Sequence, residues 1–325
     1  MILITGITGL VGSAVAKQLI DEGYKVRGLV RNPKNTQLIS EKYSNQIDWI
    51  EGDVLDISSI QNSLKDISCI IHCAAIISFH SAQKEKMYKT NVEGTANMVN
   101  AALINNIYKF IHVSSVAALG RVEKRITVDE NVHWEDSELN SNYAKSKYWA
   151  ELEVWRAAEE GLNISIVNPS IVLGAGELSK SSTKLFDYII KGNRFYAEGN
   201  MNYVDVKNVV QGISKLVKED FFNERFILNG GTCSYKLFFD SIAKQLGKKE
   251  PSIKVPPLLL AIGWRLATFI SFFTKKEPFL TRETAEIAKS NFYYQNDKSI
   301  RILGLNYNSL DQTIKEVCDI LMKPN

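Results

Sequence analysis

The sequence predicts an α/β protein: a doubly wound parallel sheet with a smaller, mostly helical C-terminal lobe. Three observations lead there. Short apolar runs alternate with amphipathic stretches through the first half of the chain. The first run, residues 1–4, opens directly into the glycine-rich turn Thr5-Gly6-Ile7-Thr8-Gly9-Leu10-Val11-Gly12. After about Pro169 the alternation loosens into helical stretches and loops. Strand–helix–strand crossovers are right-handed, so the helices cover both faces and the strands run parallel.

The elements follow in order. Residues 1–4 form a strand and 11–22 a helix. The strand 25–30 ends at Arg31-Asn32-Pro33, and the strand 47–50 ends at Gly52-Asp53. A short helix spans 57–64, a strand 69–73, a long helix 84–105 and a strand 109–114. A further helix spans 142–160, followed by a strand at 163–167. The glycines, Arg31, Asp53, Cys73-Ala74-Ala75 and Ser114-Ser115 all fall at strand ends, so five exits converge on the carboxyl edge, where sheets of this kind bind ligands. Two later pieces, 203–206 and 225–228, are expected to return to the sheet or its margin. Helices are expected at 209–219, 235–246 and 309–322. This divides the chain into a dinucleotide-binding domain, 1–168 with return segments near 203–230, and an interleaved substrate lobe, 169–325.

The turn has a definite chemistry. Gly6 lets the chain leave the strand in a conformation that a side chain would forbid. Gly9 lets backbone approach a pyrophosphate, and Gly12 lets the helix pack close to the strand. The phosphates then meet the free N–H groups and positive dipole end of a helix. The spacing is G-x-x-G-x-x-G rather than the common G-x-G-x-x-G. Further along, Tyr143 and Lys147 stand four apart and share a helical face. A nearby ammonium stabilises a phenolate, which would let Tyr143 exchange a proton with a substrate oxygen. With 13 tyrosines present, such a pair arises by chance about once, so its weight comes from its place after the converging strands. Ser115 ends a strand, where a hydroxyl can donate to a carbonyl oxygen.

Composition sets the outer limits. The 325 residues are 45% hydrophobic and 23% charged, with a net charge of +3. Lys248-Lys249 and Lys275-Lys276 are doublets, not the basic blocks of a nucleic-acid site. Cys69, Cys73, Cys233 and Cys318 lack metal or redox spacing and read as reduced thiols, with no metal site. A strand starting at Met1 and broken by Gly6 is no signal peptide, so the expected location is cytoplasmic. The apolar stretch 258–273 is short for a bilayer span and carries Arg265 at its middle, which favours a helix of the second lobe over one lying on a membrane.

These motifs, taken in order, resemble the extended short-chain dehydrogenase/reductases of the NAD-dependent epimerase/dehydratase family. T-G-x-x-G-x-x-G runs from Thr5 to Gly12, and the adenine-contacting pair is Asp53-Val54. H-x-A-A is His72-Cys73-Ala74-Ala75, and N-V-x-G-T is Asn91-Val92-Glu93-Gly94-Thr95. The serine motif ends in Ser115, counted back from Gly120. N-P-S-x-V-x-G runs from Asn168 through Pro169 and Ser170 to Gly174. Asn202-Tyr203-Val204-Asp205-Val206 is followed by Asn208, where the family pattern has an acid. The resemblance implies that Tyr143 is the acid-base, that Lys147 lowers its pKa and binds the nicotinamide ribose, and that Ser115 binds the substrate oxygen. It also implies that Asn91 holds a water between Lys147 and solvent. The dinucleotide would be held by Gly6, Thr8, Gly9, Leu10, Val11, Gly12, Arg31, Asp53, Val54, Cys73, Ala74, Ala75, Tyr143, Lys147, Asn168, Pro169 and Ser170.

Within that family the segments 26–33 and 114–120 resemble dihydroflavonol-reductase-like proteins. Sugar dehydratases carry an Asp-Glu pair after the catalytic hydroxyl, where this chain has Val116-Ala117. The expected activity is therefore hydride transfer between NADP and a carbonyl or alcohol carbon of a small molecule. A nucleotide-sugar epimerase with a tightly held cofactor and a non-catalytic dinucleotide-binding scaffold remain alternatives. NADP is expected over NAD because the second strand ends in Arg31, with Lys34 assisting, and no acid follows before Glu41. Phe79, Leu173, Phe195, Tyr196 and Trp264 are candidate pocket residues by loop position. The expected partners are a small-molecule substrate and, as one assembly, a second copy of the chain, with neither nucleic acid nor membrane.

Overall fold

A computed structural model describes residues 1–33, 38–178, 182–274, 281–287 and 291–322. Seven parallel strands form the main sheet. Six come from the first half: β1 (Ile2–Thr5), β2 (Val26–Val30), β3 (Ile47–Glu51), β4 (Cys69–His72), β5 (Lys109–Val113) and β6 (Ile164–Pro169). Three further strands form a second sheet: β7 (Ile171–Leu173), β8 (Asn200–Asp205) and β10 (Gly231–Ser234). The seventh strand of the main sheet is β9 (Glu224–Leu228), giving the order β3-β2-β1-β4-β5-β6-β9.

Alternate strand residues feed two cores. Ile2, Ile4, Ile71 and Ile111 meet Val15 and Leu19 of the helix Leu10–Asp21 and Val209 and Ile213 of the helix Val206–Lys218. Leu3, Ile70, Phe110 and Ile166 meet Ile60, Met98 and Val154 from the helices Ile57–Ser63, Gly94–Ile104 and Asn142–Glu159. Burial on both faces explains why these strands read as apolar runs rather than as alternating patterns. The order reverses between β1 and β4, so the connections leave on opposite faces there and open a crevice at the carboxyl edge.

Two expectations change. The segment expected at 203–206 does not join the main sheet. As β8 it pairs with β7 and β10 in a separate three-stranded sheet, because Tyr203 lies opposite Ile171 and Gly231. This sheet packs its Met201, Tyr203 and Cys233 with Phe186, Phe238 and Val317 into a core of its own. The long helix expected at 84–105 is broken in the middle: Lys84–Tyr88 and Gly94–Ile104 are α-helical, but Lys89–Glu93 is a π turn.

Candidate active site

The loop after β1 is built by close contact. Gly6 has φ +64°, and a Cβ there would stand 2.7 Å from the backbone of Cys73 and Ala74. A Cβ on Gly12 would stand 2.4 Å from the Gly6 carbonyl oxygen. The glycines thus allow the first turn, the helix after it and the Cys73–Ala75 loop to share one small volume. The Leu10–Asp21 helix has no side-chain cap on its first turn, so its leading amides are free to meet an anion. A Cβ on Gly9 would meet only the Gly6 oxygen, at 3.2 Å, and its outer side is open.

Beneath that loop lies a chain of buried hydrogen bonds. The Ala74 N–H donates to Thr5 Oγ1 at 3.2 Å, and Thr5 Oγ1 lies 2.8 Å from His72 Nδ1. His72 Nε2 lies 3.1 Å from Thr95 Oγ1, which donates to the Asn91 carbonyl at 2.6 Å. A hydroxyl has one proton. Thr95 spends its proton on Asn91, so it accepts from His72 Nε2–H. His72 Nδ1 is then the acceptor for the Thr5 proton. The direction is the same at every link, and it requires a neutral His72. Burial, helped by the nearby Lys147 charge, pushes the pKa of His72 down to about 3.

Ser141 caps the Asn142–Glu159 helix through the Ala144 N–H, which sets Tyr143 in the first turn. Tyr143 and Lys147 are both buried on its inner face. The Ser115 hydroxyl, which accepts from the Ala117 N–H at 3.2 Å, is placed near the Tyr143 phenol and favours its ionised form. Burial pushes the phenol up to about 12, and the Ser115 hydroxyl works against that rise. Phe79 closes edge-on against the ring, 6.0 Å between centroids. The Lys147 ammonium donates to the Val113 carbonyl at 3.1 Å and lies 3.3 Å from His112 Nε2. Burial brings Lys147 down to about 8, against the attraction of Glu151 and Cys73.

Asn91 sits in the π turn. Its Oδ1 accepts from the Ile76 N–H at 2.7 Å, and its Nδ2 donates to the Ile76 carbonyl and to Ser146 Oγ, each at 3.0 Å. Ser146 in turn donates to the Tyr143 carbonyl. Asn91 therefore ties the strand exit after β4 to the Tyr143 helix. Asn168 Nδ2 donates to the Ser115 carbonyl at 3.0 Å and to the buried carboxylate of Glu151 at 2.6 Å. Glu151 is neutralised by Arg225 of β9.

Other expected residues take different places. Asp53 is half-buried and its Oδ1 accepts from the Leu55 N–H at 3.0 Å, a local turn bond. Arg31 is exposed at the end of β2, while Lys34 lies outside the described residues. Leu173 is no pocket residue: it is fully buried in the core of the second lobe. Phe195 is half-exposed, Tyr196 sits under Lys236, and Trp264 sits under Arg265. Asn208 bonds Asn306 and Asn308, so the position that departs from the family pattern ties the Val206–Lys218 helix to the loop that follows Leu305.

His112, Glu151 and Arg225 escaped the sequence reading. One signal was available: His72 and His112 interrupt two otherwise apolar runs, and they prove to be register partners whose rings stack 5.5 Å apart.

The residues present fit a dinucleotide. Beyond the uncapped helix and the open side of Gly9, three buried polar atoms at the carboxyl ends of β5 and β6 have no hydrogen-bond partner: Ser114 Oγ, Asn168 Oδ1 and Ser170 Oγ. Among the described residues no group of three or more His, Cys, Asp or Glu side chains could hold a metal ion.

The family model described as NAD dependent epimerase/dehydratase family matches residues 2–226. The chain belongs to this family. A Synechocystis protein provisionally named dihydroflavonol 4-reductase is 28% identical over 96% of this chain and 92% of its own length. Sterol demethylase protein B of Methylococcus capsulatus is 24% identical over 93% and 92%. Among solved structures, gox2253 superposes with a TM-score of 0.83 at 30% identity, covering 98% of this chain and 97% of that one. UDP-glucose 4-epimerase of Thermotoga maritima, at 19% identity, shares the fold with a TM-score of 0.79 over 98% of each chain. The epimerase/dehydratase family member described here is therefore an NAD(P)-dependent enzyme of the extended short-chain dehydrogenase/reductase type.

Proposed function

We propose that the protein is an NADP-dependent oxidoreductase that moves hydride between nicotinamide and a carbonyl or alcohol carbon of a small molecule, with Tyr143 as acid-base. The observation that carries this reading is the Tyr143–Ser115 hydroxyl pair at the carboxyl edge of the sheet. A nicotinamide bound there supplies or receives the hydride. In the reducing direction the Ser115 hydroxyl donates to the substrate oxygen, and the Tyr143 phenol gives that oxygen its proton. A phenol whose pKa is pushed up to about 12 is in the acid form that this step needs. Lys147, one helical turn on, stabilises the phenolate left behind and binds the nicotinamide ribose. Gly6, Thr8, Gly9, Leu10, Val11 and Gly12 hold the pyrophosphate, and Asp53 and Val54 hold the adenine. Cys73, Ala74, Ala75, Asn168, Pro169 and Ser170 line the nicotinamide end. Asn91 fixes the loop on which Ile76 lies.

The preference for NADP rests on Arg31, an exposed guanidinium where the adenine ribose would lie; it can pair two donors with a 2′-phosphate. A cytoplasmic location belongs to the same reading, since all four cysteines are free thiols.

The test is NADPH consumption against a panel of ketones, aldehydes and alcohols, with Tyr143→Phe beside the native enzyme. Turnover in the variant should fall by about two to four decades while NADPH still binds. Near-native turnover would remove Tyr143 from the chemistry. Isomerisation of a nucleotide sugar without net NADPH consumption would make the protein an epimerase.

A further inference from the structure

We infer that the helix Pro257–Thr274 is a docking element for an anionic lipid surface. Its described side chains divide by face. Leu258, Leu259, Ile262 and Leu266 fall within an arc of about 100° at 3.6 residues per turn. They are 72%, 54%, 47% and 58% exposed, whereas Leu260, on the opposite side, is buried. Just ahead of the helix, Ile253 and Phe195 lie opposite each other in a short parallel pair and are also largely exposed. Large aliphatic side chains held in water along one helical stripe mark a face that meets another apolar medium.

Charge selects the occupant. Residues 244–274 contain five Lys and Arg, of which Lys254 is paired with Glu198, against one Glu, a net +4 in a chain whose total is +3. The rest of the protein is therefore slightly acidic, and the apolar stripe lies within its basic region. Lys248 and Lys249 are exposed ahead of the helix, and the Arg265 guanidinium lies over the Trp264 ring at 4.4 Å. An apolar stripe flanked by cations suits the interface of a bilayer containing acidic headgroups. A second copy of this chain would bring the same positive region against itself, which like charges oppose. Among the described residues no helix is long and apolar enough to cross a membrane, so the helix would lie on the surface.

The position of the helix gives docking a consequence. It packs against the helix Arg282–Ile287, whose Glu283 accepts from both the backbone N–H and Nδ2 of Asn142, at 3.1 and 2.7 Å. Asn142 is the neighbour of Tyr143. A lipid surface under Pro257–Thr274 would thus lie two elements from the phenol.

The experiment is flotation of the full chain with phosphatidylcholine vesicles, with and without phosphatidylserine. Catalysis plays no part in the readout, so failure here leaves the proposed activity untouched. The chain should float with the phosphatidylserine vesicles only, and added salt should release it. Lys248→Gln with Lys249→Gln should weaken that binding roughly 25-fold, about fivefold per lysine. Leu258→Ser, Ile262→Ser and Leu266→Ser together should abolish it, with an unchanged thermal melt, because all three positions are exposed. Flotation that ignores lipid charge, no flotation, or flotation that survives the triple substitution would each overturn the inference. So would a dimer that dissociates in the triple variant, which would assign the stripe to a second copy of the chain.

Discussion

Acidification should weaken the folded protein through His72, by an amount its surroundings allow to be worked out. The folded-state pKa of His72 is about 3, against an ordinary 6.5. As pH falls through 6.5 the unfolded chain takes up a proton that the folded chain refuses. The stability contributed by the neutral ring is therefore complete above pH 6.5 and is lost as pH falls toward 3. Each unit within that window is worth about 1.4 kcal/mol. By about pH 5 the loss is roughly 2 kcal/mol. His112, also held low by burial, adds in the same direction. Glu130 and Glu283, pushed up by burial, act oppositely: their contribution is present at low pH and fades as pH rises. The total pH slope therefore mixes signs, and a variant is needed to separate them. His72→Phe keeps a ring stacked on His112 but leaves the Thr5 hydroxyl without its acceptor, at a cost of about 1–3 kcal/mol near neutrality. Urea unfolding of both proteins at about pH 7.5 and about pH 5 should show the native advantage shrinking by about 2 kcal/mol at the lower pH. An advantage that is the same at both values would refute the uniform hydrogen-bond direction from Ala74 to Asn91 and the neutral ring it demands.

Arg31→Ala should lower NADPH affinity by about ten- to a hundredfold and leave NADH affinity nearly unchanged, as read by fluorescence titration of both dinucleotides. Equal affinities in the native protein, or a preference that survives the substitution, would remove Arg31 from cofactor choice. Asp53→Asn keeps an oxygen for the Leu55 N–H, so the melting temperature of the cofactor-free protein should move by less than about 2 °C. Dinucleotide affinity should fall by roughly fivefold or more as the charge is lost. A lower melting temperature with unchanged affinity would leave Asp53 as a turn former only.

The first half of the fold was legible because its strands are buried on both faces, and the expected ends differ from those observed by only a residue or two. The glycine turn was legible for a different reason: Gly6 and Gly12 are contact requirements, and no other residue meets them. The π turn was not legible. Apolar spacing across 84–105 continues through it, and the Asn91 at its middle is bonded to Ile76 and Ser146, residues distant in sequence. The destination of Asn200–Asp205 was hidden in the same way, since a strand's composition does not say which of two sheets it will join. Loop position misled for Leu173, which points into a core. The Tyr143–Lys147 spacing was visible, but the anchorage of Lys147 was not, because it depends on the register that sets His112 beside His72.

The late return of β9 to the main sheet bears on how such a protein is put together and passed on. Without β9 the last strand of the sheet, β6, would have an open edge, and the buried Glu151 carboxylate would lack the Arg225 guanidinium that neutralises it. The nucleotide half cannot be finished until the ribosome has moved some sixty residues further. A recombination event at a single point would likewise separate Glu151 from its guanidinium. The segments outside the main sheet are thus not a detachable cassette at the end of the chain. They are an insertion between β6 and β9 and an extension after β9, and a change in length or sequence in either must leave the strand between them in register with β6.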